Sequence, residues 1–170
     1  MLEAFEVVQG QAPVDSPSVE LTFEQRQKSR YRTETACGQP LGWFVERGHV
    51  LADGEFLKCS DGTLVKVVAA LETVSNVVCE DRRQLARVAY HLGNRHVPLQ
   101  VGDNFVRYQH DHVLDIMVEG LGQKVSCEQQ PFNPENGAYH GGSHGHAHSH
   151  NHSHAHEHSH RDGHSHSEAV

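Results

Sequence analysis

Thirty-one residues at one end of this chain, His140 to Val170, cannot contribute to a folded core. Their only large apolar side chain is Val170, so nothing offsets the entropy cost of ordering them, and the stretch is expected to stay disordered without a ligand. Twelve of the chain's seventeen histidines lie there: His140, then the alternating run His144, His146, His148, His150, His152, His154, His156, His158 and His160, then His164 and His166. An unperturbed imidazole has a pKa of about 6.5 and is mostly neutral at pH 7. Its free ring nitrogen is a borderline donor suited to Ni2+, Zn2+, Cu2+ and Co2+. A flexible polymer of such donors can gather about four to six in the geometry an ion prefers. An affinity tag would be an uninterrupted run, whereas Glu157, Arg161 and Asp162 break this one. Solubility alone would be served better by Ser, Glu or Lys. The run from His144 to His160 is therefore read as a metal-binding tail. Imidazole chemistry does not choose the metal: the Irving–Williams order favours copper over nickel, and availability decides the rest.

The residues before the tail, about 139 of the 170, allow one medium domain or two small ones. The net charge is −8; in the tail Arg161 stands against Glu157, Asp162 and Glu168, which leaves −6 on the body. Such a body repels nucleic acid and anionic membrane. No apolar run approaches the roughly 20 residues of a membrane span. The start, Met1 to Glu6, is acidic and lacks the pattern of a signal peptide. Cys37, Cys59, Cys79 and Cys127 form no C-x-x-C pair, which argues against a disulfide framework or a zinc ribbon and fits a reducing cytoplasm. Each is read as a small core residue.

Residues 2 to about 70 read as short strands: Val19–Phe23, Arg30–Thr35, Leu41–Val45, Gly54–Cys59 and Thr63–Val68, the last two joined by the turn Ser60-Asp61-Gly62. From about residue 70 the period changes. A strand over Val74–Glu80 is followed by a helix capped by Asp81, with Leu85, Val88, Ala89 and Leu92 on its buried face and Gly93-Asn94 as its left-handed stop. Asn104–Gln109 alternates as a strand, Asp111 can cap a second helix ending at Gly120-Leu121-Gly122, and Lys124–Gln129 is a last strand. Between the first helix and Asn104, Val97-Pro98-Leu99-Gln100 is extended, because Pro98 disfavours helix before it, and the resulting order β-α-β-β-α-β is that of a ferredoxin-like domain. The fold class is therefore α+β: a β-rich unit over residues 1–70, a ferredoxin-like unit over 71–139, and the tail over 140–170.

No catalytic motif stands out: there is no H-E-x-x-H, no G-x-S-x-G, no phosphate loop and no dinucleotide fingerprint. Asp53 and Glu55 sit in an evident turn and are expected to face solvent. His49 is read as a solvated loop residue, and His91 as a structural or solvated helix residue. From spacing alone His96, just past the first helix, is a surface histidine. His110 and His112 join a strand end to a helix start and can reach one ion if both side chains point the same way.

At these residues a resemblance enters. Leu85 to Gln100, with its Gly93-Asn94-Arg95-His96-Val97-Pro98 run, is similar to the signature of the UreE family of urease accessory proteins. Asp111-His112-Val113-Leu114, Phe132 to Tyr139, Arg47-Gly48, Ala52-Asp53-Gly54-Glu55 and the histidine-rich end resemble it too. The resemblance implies a nickel-binding homodimer, not an enzyme, that delivers Ni2+ to apo-urease with the other accessory proteins, notably the GTPase UreG. It implies that the first domain resembles the peptide-binding domain of Hsp40-type chaperones. It also implies that His96 is the central ligand, with His110 and His112 as further ligands. A dimer suits the chemistry, because one His96 gives one donor and a two-fold axis beside it supplies the second. Metal and proton compete for the same nitrogens, so acidification through about pH 6.5 should release the ion. The competing readings are a Ni/Zn/Cu store or buffer, a peptide-binding chaperone, and a hydrolytic metalloenzyme.

Overall fold

The computed structural model describes residues 1–11 and 13–136, which form two sheets, each with its own core. The first sheet contains β1 (Leu2–Val8), β2 (Ser18–Leu21), β3 (Arg30–Glu34), β4 (Pro40–Phe44), β5 (Phe56–Cys59) and β6 (Leu64–Ala69), in the order β2-β6-β5-β1-β4-β3. It is a mixed sheet: β1 runs parallel to β4 and antiparallel to β5, and β2 runs parallel to β6. Alternation puts Val65, Val67 and Ala69 inside, against Val19, Leu21, Leu41 and Trp43. The Trp43 indole N–H donates to the Lys28 carbonyl at 2.8 Å, so the ring is buried without an orphan donor. At the β5–β6 hairpin Asp61 accepts from the Thr63 N–H at 2.9 Å, and Gly62 takes the positive φ of +88° that the turn requires.

Two features differ from the sequence expectation. β1 is a further strand at the middle of the sheet, its alternation blurred by the exposed Phe5 beside the buried Leu2 and Ala4. The strand expected over Val19–Phe23 ends at Leu21, because Thr22 caps a short helix, α1 (Phe23–Arg26). Thr22 accepts from the Gln25 N–H, and the Gln25 side chain accepts from the Thr22 N–H, the reciprocal pair of a capping box.

The second sheet is built by β7 (Leu71–Val78), α2 (Arg82–Gly93), β8 (Gln100–Val101), β9 (Phe105–Gln109), α3 (His112–Gly120) and β10 (Ser126–Pro131). Its strand order is β10-β7-β9-β8 and every pair is antiparallel. Both helices start at the expected aspartates. Asp81 accepts from the Gln84 N–H at 2.8 Å; Asp111 accepts from the Val113 and Leu114 N–H groups at 2.8 and 3.3 Å. Val88 and Leu92 from α2 and Val118 from α3 close onto Val77, Val106 and Tyr108 of the sheet. The last strand lies two residues beyond the expected Lys124–Gln129.

A third cluster joins the two sheets. Phe23, Val74 and Phe132 are buried together, with the Phe23 and Phe132 rings edge to face at 5.3 Å. Buried Arg26 donates to the carbonyls of Leu51 and Phe132, and the Phe23 N–H donates to the Glu72 carboxylate at 2.7 Å. Burial pushes the Arg26 guanidinium below its ordinary value, and the nearby carboxylates of Glu72 and Asp53 oppose that shift.

Other expectations are corrected. Glu55 does not face solvent: it is buried, accepts the Ala52 N–H at 2.9 Å and lies 3.1 Å from His49 Nε2. His49 is thus held rather than free. Cys59 and Cys79 are buried as expected, but Cys37 and Cys127 are exposed. Phe132→Ala should cost about 3–5 kcal/mol, the loss typical of emptying a buried aromatic site. Phe44→Ala, at a position 60% exposed, should change stability by less than about 0.5 kcal/mol. Urea unfolding of both variants checks the contrast.

Candidate metal centre

His96 ends the turn after α2. The Arg95 N–H donates to the Leu92 carbonyl and the His96 N–H to the Gly93 carbonyl, at 3.0 and 2.9 Å. The left-handed stop expected at Gly93-Asn94 falls two residues later. Asn94 keeps a right-handed φ of −62°, and the chain turns at His96, with φ of +56°. Among the described residues His96 is the only one other than glycine with positive φ. That conformation costs a side-chain-bearing residue about 1–2 kcal/mol, and such strain clusters at functional positions. Arg95 is turned back along the helix, its guanidinium donating to the His91 carbonyl at 2.9 Å. The His96 ring is exposed, and among the described residues no group hydrogen-bonds it.

The chain beyond His96 is tied to the segment that leads toward the tail. The Glu135 N–H donates to the Leu99 carbonyl at 2.8 Å, and the Asn133 N–H to the Gln100 side chain at 3.0 Å.

His110 comes directly after β9. Its Nδ1 lies 3.0 Å from the Ser75 hydroxyl and 3.3 Å from Asp115 Oδ2, so only Nε2 is left to bind anything else. The other Asp115 oxygen accepts the Tyr108 hydroxyl at 2.7 Å. Tyr108 is fully buried, and burial pushes its phenol well above the ordinary value. His112 opens α3 and is exposed. Asp111, between the two histidines, is occupied in capping the helix. His91 is half-buried with its ring edge-on to Tyr90 at 5.4 Å. Among the described residues no three His, Cys, Asp or Glu side chains converge into a metal site. One copy of the folded body therefore offers separate imidazoles. The tail histidines His144 to His160 lie outside the described residues.

The sequence reading missed Ser75, Tyr108 and Asp115 around His110. One signal was present: Asp115 falls beside Leu114 and three residues before Val118, a carboxylate at the margin of the helix's apolar face.

Residues 2–70 match the family described as UreE urease accessory protein, N-terminal domain, and residues 72–167 match its C-terminal domain. This chain belongs to the UreE family. Its UreE relatives include the urease accessory protein UreE of Teredinibacter turnerae, 57% identical over 146 residues that cover 85% of this chain and 95% of the relative. That of Saccharophagus degradans is 56% identical over 144 residues, covering 83% and 86%. That of Alkalilimnicola ehrlichii is 53% identical over 141 residues, with the same coverage. The UreE C-terminal match spans His96, His110, His112 and the run from His144 to His160.

The strained turn of this UreE protein has a measurable consequence. Glycine adopts positive φ at little cost, whereas alanine does not. His96→Gly should therefore be more stable than His96→Ala by about 1 kcal/mol. Both lose the same imidazole, so urea midpoints of the two metal-free variants isolate the backbone term.

Proposed function

We propose that this chain is a nickel metallochaperone that delivers Ni2+ to apo-urease while the urease active site is assembled. It acts in the cytoplasm as a homodimer, with the other urease accessory proteins including the GTPase UreG, and is not itself an enzyme. The carrying observation is His96: an exposed, unengaged imidazole on a strained turn, in a chain of the UreE family. One such donor is too few for Ni2+ or Zn2+, which take four or more ligands. An isologous contact beside His96 would set the partner copy's imidazole opposite it, since two-fold symmetry pairs identical residues. His110 and His112 serve as further ligands. His144 to His160 raise capacity and complete the shell, a role favoured by the ties that hold residues 133–135 beside Leu99 and Gln100, shortly after His96.

The donor set fits a cargo that must leave. Neutral imidazoles exchange an ion more readily than thiolates do, and protonation releases it. Zn2+, Cu2+ and Co2+ should bind the same nitrogens. In this reading the chain divides into residues 1–70, 71–139 and the tail 140–170. The second unit is ferredoxin-like, in keeping with its β10-β7-β9-β8 order. The first is read as related to the peptide-binding domain of Hsp40-type chaperones. It carries an open hollow of about 320 Å³ flanked by Phe5, Phe44, Arg30 and Arg32.

Calorimetric titration with Ni2+ tests the assignment on the full chain, on a chain ending at Tyr139, and on that shorter chain with His96→Ala. Truncation should lower the stoichiometry and leave a tight site, and His96→Ala should then abolish it. A shorter chain that bound no nickel would make the tail the whole binder. Nickel-loaded protein should also raise urease activity in a mixture of apo-urease and the other accessory proteins; a mere store would bind the metal and leave that activity unchanged.

A further inference from the structure

The polar groups around His110 Nδ1, a hydrogen-bonded Ser75 and an Asp115 carboxylate at ion-pair distance, decide more than its orientation. A neutral imidazole carries one proton, and its hydrogen-bond partners decide which nitrogen holds it. Nδ1 of His110 faces an Asp115 carboxylate oxygen at 3.3 Å. An ionised carboxylate only accepts, so the proton belongs on Nδ1, because two lone pairs facing each other would repel. The Ser75 hydroxyl, 3.0 Å from the same nitrogen and fully buried, can donate or accept and so adapts to either tautomer. The carboxylate cannot adapt. It is also braced, because its second oxygen takes the Tyr108 hydroxyl at 2.7 Å and Tyr108 is immobilised in the core of the second sheet.

We propose that Asp115, braced by Tyr108, is a positioning residue that holds the proton of His110 on Nδ1 and so presents the Nε2 lone pair to a divalent late-transition-metal ion. The proposal rests on the reading of His110 as a ligand. A carboxylate behind the far nitrogen of an imidazole fixes the ring and strengthens its donor atom, and removing such a partner typically weakens metal binding about 10- to 100-fold. The purely structural alternative is that Asp115 only satisfies Tyr108 and ties α3 to the sheet. That role would leave the His110 tautomer unaffected by its loss.

The tautomer is read directly from long-range 1H–15N spectra of the metal-free, 15N-labelled full chain, with the His110 signals identified by their loss in His110→Gln. The expected pattern is a protonated Nδ1 and an unprotonated Nε2. In Asp115→Asn the carboxamide can turn its NH2 toward Nδ1, which drives the proton to Nε2; an aspartate-to-asparagine change behind a catalytic histidine acts in the same way. Titration with Zn2+, which is diamagnetic, should move the native His110 Nε2 signal. In Asp115→Asn that response should require about 10- to 100-fold more zinc. Tyr108→Phe keeps the core ring and frees one carboxylate oxygen, so it should give a smaller change of the same sign and carries the test if the asparagine variant does not fold. Ser75→Ala should leave the tautomer as it is.

A native His110 protonated on Nε2 overturns the proposal. So does an Asp115→Asn protein with native tautomer and native zinc response, or a tautomer that tracks Ser75 rather than Asp115. A native chain with the expected tautomer whose Nε2 ignores zinc would overturn the ligand reading of His110, and the proposal's metal half with it. The pattern of nitrogen shifts separates that failure from the others.

Discussion

The seam between the two sheets organises this molecule. Phe132 is buried against Phe23 and Val74, and its carbonyl takes the guanidinium of a buried arginine. A buried guanidinium is stable only when its donors are met, and Arg26 Nε has no partner among the described residues. Arg26 therefore depends on its two carbonyl bonds, which come from Leu51 in the first unit and from Phe132 beyond the last strand of the second. The link between β6 and β7 is a single residue, Ala70. Chain continuity on one side and the Phe132–Arg26 contact on the other hold the two units together. Phe132 also sets the path of the residues after it, since Asn133 and Glu135 are bonded to Gln100 and Leu99. The seam thus places residues 133–135 close to the segment that leaves the His96 turn.

His96 and His110 are prepared by different physics. At His96 the backbone carries the constraint: a histidine sits where glycine would be easier, and its exposed ring has no hydrogen-bond partner among the described residues. At His110 the backbone is ordinary, and the side chain is fixed by a serine, a carboxylate and the tyrosine behind it. The first arrangement leaves an exposed ring that the proposed homodimer would set opposite its copy. The second leaves a ring with one nitrogen committed and one open. Such a division suits a carrier with one shared and one local donor, the proposed role.

Elements whose signals are local were legible in the sequence. Asp81 and Asp111 cap the helices they were expected to cap, and alternation in Leu64–Ala69 and Phe105–Gln109 gave real strands. The β-α-β-β-α-β order came from the change of period near residue 70. The features that escaped depend on tertiary contacts. Leu2–Val8 became a central strand although Phe5 faces outward on it. Thr22 and Gln25 form a capping box that the alternation of Val19–Phe23 hid, and Phe23 packs on Phe132 across the seam. Glu55 looked like a solvated turn residue because turn residues usually face water, although its partners, His49 and the Ala52 N–H, lie in the same loop. At the candidate site, spacing alone left His96 a surface histidine; the family resemblance singled it out. Its positive φ closes the turn of residues 94–96 that follows the end of α2 at Gly93. The partners of His110 come from β7, β9 and α3, which no sequence window contains.

Thiols bear on how tightly this body can hold a metal. Burial pushes the Cys59 and Cys79 thiols above their ordinary values, with Asp61 and Asp81 adding to the shift, so both stay protonated at neutral pH. A protonated thiol is a poor ligand. Cys37 shifts the other way, because the Thr35 hydroxyl and the Gln39 backbone favour its thiolate, but it lies in the turn between β3 and β4 of the first sheet. Cys127 is exposed on β10. No second cysteine, histidine or carboxylate pair joins any of the four to make a metal site among the described residues. At the proposed site the nitrogens of His96, His110 and His112 would therefore not be backed, among the described residues, by a thiolate cage that would trap a soft ion. In the proposed carrier, affinity would scale with how many imidazoles gather at once, and each ring that leaves would weaken the hold of the rest. A carrier built this way can load by accumulating rings and unload by losing them one at a time to a competing site, without any single step breaking the whole shell.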